Sequence, residues 1–181
     1  MGEFGMGKRP SLDADRQCIL MMTTSVCLAG GDITKKILFM MGEDGTVYYV
    51  KPLKMPKTKD CKALKNLVYD VTCLNSEDSV SFTATVISPS VQKFTEATVT
   101  TAGLAPVKAA IEVLYIDPKG KKYENRLRLR ISRADFKAIY HSPAPYVVDY
   151  GHGMRFGLTE KAWPKESHFM NEVFIMVDST R

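Results

Sequence analysis

The sequence predicts a mainly β chain: an antiparallel β-sandwich or partly closed barrel of about 8–10 short strands, with one short helix near 133–141. Two segments alternate with a period of two, the mark of a half-buried strand. In one, Val80, Phe82, Ala84 and Val86 interleave with Ser79, Ser81, Thr83 and Thr85. In the other, Tyr123, Leu127, Leu129 and Ile131 interleave with Glu124, Arg126, Arg128 and Arg130. Strand-like runs also pair into hairpins across turn-forming residues, within 33–51, 64–88 and 109–132.

In chain order, Met1-Gly2-Glu3-Phe4-Gly5 reads as a vector-derived remnant, and 1–16 as that remnant plus a flexible lead-in. Residues 17–181 then form a single β-rich domain. A first strand is expected over 18–29, broken by Gly30-Gly31-Asp32. A second covers 33–41 and turns at Glu43-Asp44-Gly45 into a return strand through Val47, Tyr48, Tyr49 and Val50, ended by Pro52 and Pro56. The stretch 57–65, KTKDCKALK, is basic and reads as a loop or one helical turn.

Strand character resumes over 64–74 and again over 79–88, across the polar turn Asn75-Ser76-Glu77-Asp78. The Thr-rich stretch 91–101 fits either an edge strand or a helix start, ended by Gly103 and Pro106. The hairpin at 109–132 is centred on Asp117-Pro118-Lys119-Gly120, with Pro118 presetting φ at the first central position. Its first run, with Ile111, Val113, Leu114, Tyr115 and Ile116, is apolar on both faces and is expected to be central in the sheet. Ser132 can cap a helix whose stripe is Phe136, Ile139 and Tyr140, stopped by Pro143 and Pro145. Tyr146-Val147-Val148 is a short strand before a glycine-rich turn region, and 162–167 a loop around Trp163-Pro164. The β-branched density of 169–178 predicts a final strand, with a helix as the alternative.

Composition bounds the function. The hydrophobic fraction of 45% suffices for a packed core, and a net charge of +5 falls short of the dense basic runs of nucleic-acid binders. Cys18, Cys27, Cys61 and Cys73 permit two disulfides, but no C-x-x-C occurs, and Cys73 lies in phase with Leu67, Tyr69 and Val71. Buried free thiols are the reading adopted. No apolar run has the length of a membrane span, and the apolar part of 18–30 is too diluted by Thr23, Thr24 and Ser25 for an export signal. With a remnant at the start, the compartment stays open.

Three constellations bear on chemistry. Arg126, Arg128 and Arg130 share one strand face, with Lys119, Lys121, Lys122 and Arg133 nearby, and guanidinium groups bind carboxylate or phosphate bidentately. The alternative is a solvated face neutralised by acids on neighbouring strands. Asp149-Tyr150-Gly151-His152-Gly153 puts an acid, a phenol and an imidazole in one loop, without an identifiable nucleophile. His141, His152 and His168 match no metal-ligand spacing, so no metal or cofactor is expected. The expected function is a non-catalytic binding or structural module that takes a protein or an anionic partner. The alternatives are a small enzyme around Asp149 and His152, or a binder of nucleic acid or phospholipid through the three arginines. Nucleic acid is the less favoured of these ligands, because parity puts Tyr123 on the opposite face.

Overall fold

The computed structural model describes residue 33 and residues 35–181. The expected strand over 18–29, its Gly30-Gly31-Asp32 break, the lead-in, Cys18 and Cys27 lie outside the described residues. Among the described residues, nine antiparallel strands form one curled sheet, a partly closed barrel, accompanied by two helices. The strands are β1 (Ile37–Gly42), β2 (Gly45–Met55), β3 (Leu67–Leu74), β4 (Ser79–Ser88), β5 (Glu96–Thr100), β6 (Val107–Lys119), β7 (Lys122–Ser132), β8 (Val147–Asp149) and β9 (Arg155–Gly157). The helices are α1 (Arg133–His141) and α2 (Trp163–Ser179). The order across the sheet is β1-β2-β3-β4-β7-β6-β5-β8-β9. The connection from β4 to β5 therefore passes over two strands, and the β5-β6-β7 meander returns to β4, a Greek-key excursion.

The sheet curls until its far end meets the segment after β2. Gly157 N–H donates to the Pro56 carbonyl at 3.1 Å, Thr58 N–H to that of Arg155 at 3.1 Å, and Lys62 N–H to that of Gly153 at 2.7 Å. The concave side carries the alternating apolar residues, including Val50, Leu67, Tyr69, Val71, Phe82, Ala84, Leu127 and Leu129, all essentially inaccessible. The helices cover it with Phe136, Ile139 and Tyr140 from α1 and Trp163, Met170, Val173, Phe174 and Val177 from α2. Phe136 packs on Phe82 at 6.4 Å between ring centroids and edge-on against Phe174 at 5.9 Å.

Local chemistry explains most boundaries. Ser132 Oγ accepts the Asp135 N–H at 3.0 Å and so caps α1. Gly45, at φ +129°, opens β2, and a Cβ there would stand 2.3 Å from Asn75 Oδ1, which accepts the Thr46 N–H. Of the ambiguous stretch 91–101, only 96–100 forms a strand, β5, and it is paired on both sides, by β6 and β8, and so is not an edge strand.

Four expectations are corrected. The final segment is a helix, not a strand, and 162–167 holds its first turn rather than a loop. Trp163, Phe169, Met170, Val173, Phe174 and Val177 recur at helical spacing and fill the mouth of the curled sheet. Tertiary burial there outweighs a β-propensity that is weak and context-dependent. In the 109–132 hairpin, Pro118 lies inside β6 opposite Tyr123, and the loop is Gly120-Lys121 with Gly120 at φ +67°. A two-residue loop with positive φ matches the twist of the flanking strands, which a Pro-led turn does not. Finally, the apolar first run of that hairpin is not central. Of β6, only 107–110 pairs with β5, and the strand continues well past it.

Candidate binding surfaces

The convex face is organised in rows set by strand register. One row runs Lys54, Val68, Thr85, Arg126, Tyr115; the next runs Asp70, Thr83, Arg128, Glu112; and Tyr49, Thr72, Ser81 and Arg130 form a third. The arginines do share this face, as parity requires. Their charges are largely spent within it. Arg126 donates to the buried Asp70 carboxylate and, at 2.9 Å, to Thr85 Oγ1. Arg128 reaches Glu112 Oε2 at 3.3 Å. Arg130 is exposed, lies opposite Ser81 and makes no ion pair among the described residues. Two of the four flanking cations are engaged too, while Lys121 and Lys122 make no ion pair among the described residues. Lys119 pairs with Glu124 at 2.8 Å, and Arg133 is buried, donating to the Leu74 carbonyl at 2.7 Å. The three arginines thus resemble a neutralised sheet face more than an open cationic stripe.

The loop at 149–153 brings its acid and its imidazole to different partners. Asp149 Oδ1 accepts the Gly151 N–H at 2.8 Å, and its Oδ2 lies 3.4 Å from Arg155 Nε. His152 Nε2 donates to the Lys93 carbonyl at 2.9 Å, with its ring edge-on to Phe94. His152 holds φ +52° between Gly151 at +75° and Gly153 at +72°, a left-handed run that only glycine takes freely. The hydrogen bond across to Lys93 holds the non-glycine member in place. A Cβ at Gly153 would meet the Lys62 side chain at 3.0 Å. Tyr150 points into the core, fully buried, and burial pushes its phenol well above the usual range. The geometry is that of a braced turn.

Two features were not read from the sequence as surfaces. From Glu112 to Lys119, β6 is exposed at every residue, and its only strand partner among the described residues is β7. Val113, Leu114, Tyr115 and Ile116 are 40%, 37%, 46% and 38% exposed, four apolar residues in succession on both faces of one strand. The second is a concavity of about 480 Å³ lined by Lys54, Lys57, Leu64, Lys65, Asn66 and Val68. The signal for it was present but scattered, since its lysines come from a strand end and a loop.

A buried polar cluster lies beneath α2. The Tyr69 hydroxyl donates to Glu166 Oε1, and the Tyr140 and Tyr146 hydroxyls are 2.8 Å apart. Burial holds the Glu166 carboxyl above the usual range, against the Tyr69 hydrogen bond, which lowers it. The Tyr69–Glu166 bond fastens α2 to β3. Among the described residues, no three His, Cys, Asp or Glu side chains gather closely enough to hold a metal ion.

Known proteins add no constraint. No family model, no curated protein and no solved structure matches the chain.

Proposed function

We propose that the protein is a non-catalytic binding module that takes an extended segment of a partner protein along the outer half of β6. The observation that carries this reading is the Val113–Ile116 run, apolar on both faces, with its second edge free of any strand among the described residues. Strand addition to such an edge supplies main-chain hydrogen bonds, while side chains on the two faces select the partner. An unguarded edge would pair indiscriminately, and β6 carries two guards. Its ladder is interrupted between Val113 and Tyr115, and Pro118 has no N–H to offer. Selectivity then rests on Leu114, Tyr115 and Ile116. The enzyme reading draws less support, since Asp149 and His152 are turned to different partners, the Gly151 N–H and the Lys93 carbonyl.

The test is a photo-crosslinking amino acid placed at Tyr115 in cells, with Lys161, an exposed residue of the loop before α2, as the control position. The expected result is capture of a defined protein from position 115 only, abolished by Leu114→Asp. Leu114→Asp itself should change folding stability by less than about 1 kcal/mol, as for an exposed site. Equal capture from both positions, or a Leu114→Asp variant that unfolds, would remove this reading.

A further inference from the structure

The charge of this chain is unevenly placed. Between positions 51 and 65 stand Lys51, Lys54, Lys57, Lys59, Lys62 and Lys65 against one acid, Asp60. Six cations and one anion leave +5 in that stretch, equal to the net charge of the whole chain, so the other residues balance to zero. All six lysines are exposed. Asp60, the one acid, is engaged by Arg155 at 3.1 Å, and no ion pair among the described residues involves any of the six. This contrasts with the arginine face, where neighbouring strands supply the counter-charges.

The fold gathers part of this charge around one hollow. Lys54 closes the end of β2 opposite Val68, Lys65 and Asn66 lead into β3, and Lys57 crosses between them with its N–H directed at Asn66 Oδ1, 3.4 Å away. Lys57 Nζ also donates to the Ala63 carbonyl at 3.0 Å, which ties the lysine-rich loop back on itself. Three lysines and an asparagine thus line a concavity of about 480 Å³ together with Leu64 and Val68. Ammonium groups bind phosphate as point charges, without needing the planar bidentate match that a guanidinium makes. No aromatic side chain lines the hollow, so a nucleobase would find nothing to stack on.

We propose that this hollow binds a phosphate-bearing ligand with more than one phosphate group, either a free polyphosphate or the phosphorylated headgroup of an anionic lipid. The fields of lysines gathered around one hollow add, and a multiply charged anion is drawn by their sum. Leu64, 48% exposed beside the lysines, offers a small apolar contact to the ligand's non-phosphate part. The site is independent of the β6 surface.

The full chain is titrated at low salt with sodium pyrophosphate and, separately, with phosphatidylcholine vesicles carrying phosphatidylinositol bisphosphate, while NMR shifts and co-sedimentation are followed. Saturable shifts centred on Lys54, Lys57 and Asn66 are expected with at least one probe. Saturation by pyrophosphate identifies a free polyphosphate ligand, and binding of vesicles alone identifies a headgroup. Lys54→Gln and Lys65→Gln should each weaken binding about fivefold, the equivalent of about 1 kcal/mol per lysine, with unchanged thermal unfolding. Lys161→Gln should leave binding as it is. The proposal is overturned if neither probe saturates, if shifts spread over all surface lysines, or if the Lys54/Lys57/Lys65 triple glutamine variant binds like the parent. A DNA duplex that outcompetes both probes for the same lysines would also overturn the choice of ligand.

Discussion

Asp70 shows how a charge that looks available in the sequence is consumed in the fold. It lies on the convex face yet is only 3% exposed, because the Arg126 guanidinium covers it from two strands away. Removing the carboxylate by Asp70→Ala leaves Arg126 half-buried without its main partner. A fully buried pair broken on one side costs about 3–5 kcal/mol, and the exposure Arg126 retains brings the expected loss to about 2–3 kcal/mol. The comparison is Glu112→Ala, which breaks the exposed pair with Arg128 and should cost no more than about 0.5 kcal/mol. Urea unfolding of both variants measures the difference, and equal losses would mean the convex face is uniformly solvated. At this scale the sequence was half legible. Parity alone put Arg126, Arg128 and Arg130 on one side. Their counter-ions were not legible: Glu112 lies in the same hairpin, but the misplaced turn and the bulge between Val113 and Tyr115 hid its register, and Asp70 sits two strands away, where no local pattern reaches.

The elements divide by the same logic. β4 and β7 could be read outright, because each has one wet face and one dry face and the alternation has a single explanation. α2 could not. In a strand, Val173, Ile175 and Val177 would share a face; in the helix, Val173 and Val177 are buried while Ile175 is 56% exposed. Ile175, exposed, and Met176, half-buried at the edge of the core, blur the apolar stripe, so the helical period was hidden beneath a run of β-branched residues. This yields a direct discrimination. Val173→Ala should destabilise by about 2 kcal/mol through lost burial and a residual cavity. Ile175→Asp should stay within about 0.5 kcal/mol. Comparable losses at both positions would return the segment to a strand. The β6 run posed the opposite difficulty. Continuous apolarity is equally the signature of a central strand and of a strand bared for a partner, and only the length of β5 separates them.

At the scale of the molecule, closing a curled sheet with two helices places four tyrosines, Tyr69, Tyr140, Tyr146 and Tyr150, in a core where water has no access. Burial is the largest cause raising the pKa of each above the ordinary phenol value of 10.0. Burial also pushes the Cys73 thiol up to about 12. Groups whose folded pKa is raised contribute stability that is whole below the unfolded pKa and lost as pH climbs toward the folded one. Above about pH 10 each such tyrosine ionises in the unfolded chain alone, so each removes about 1.4 kcal/mol per pH unit. Four together remove about 5–6 kcal/mol per unit, comparable with the whole stability of a domain. The fold should therefore hold to about pH 10 and unfold cooperatively by about pH 12. The tyrosinate absorbance of these four residues should rise with the loss of secondary structure and not before it. Tyr150 isolates one share of the effect. Its hydroxyl has no hydrogen-bond partner among the described residues, so Tyr150→Phe removes an unsatisfied buried polar group. That variant should be at least as stable as the parent at pH 7, and its alkaline stability curve should be flatter by about a quarter. A curve of unchanged slope would mean that water reaches Tyr150, and that the barrel is open at the end where β9 meets the segment after β2.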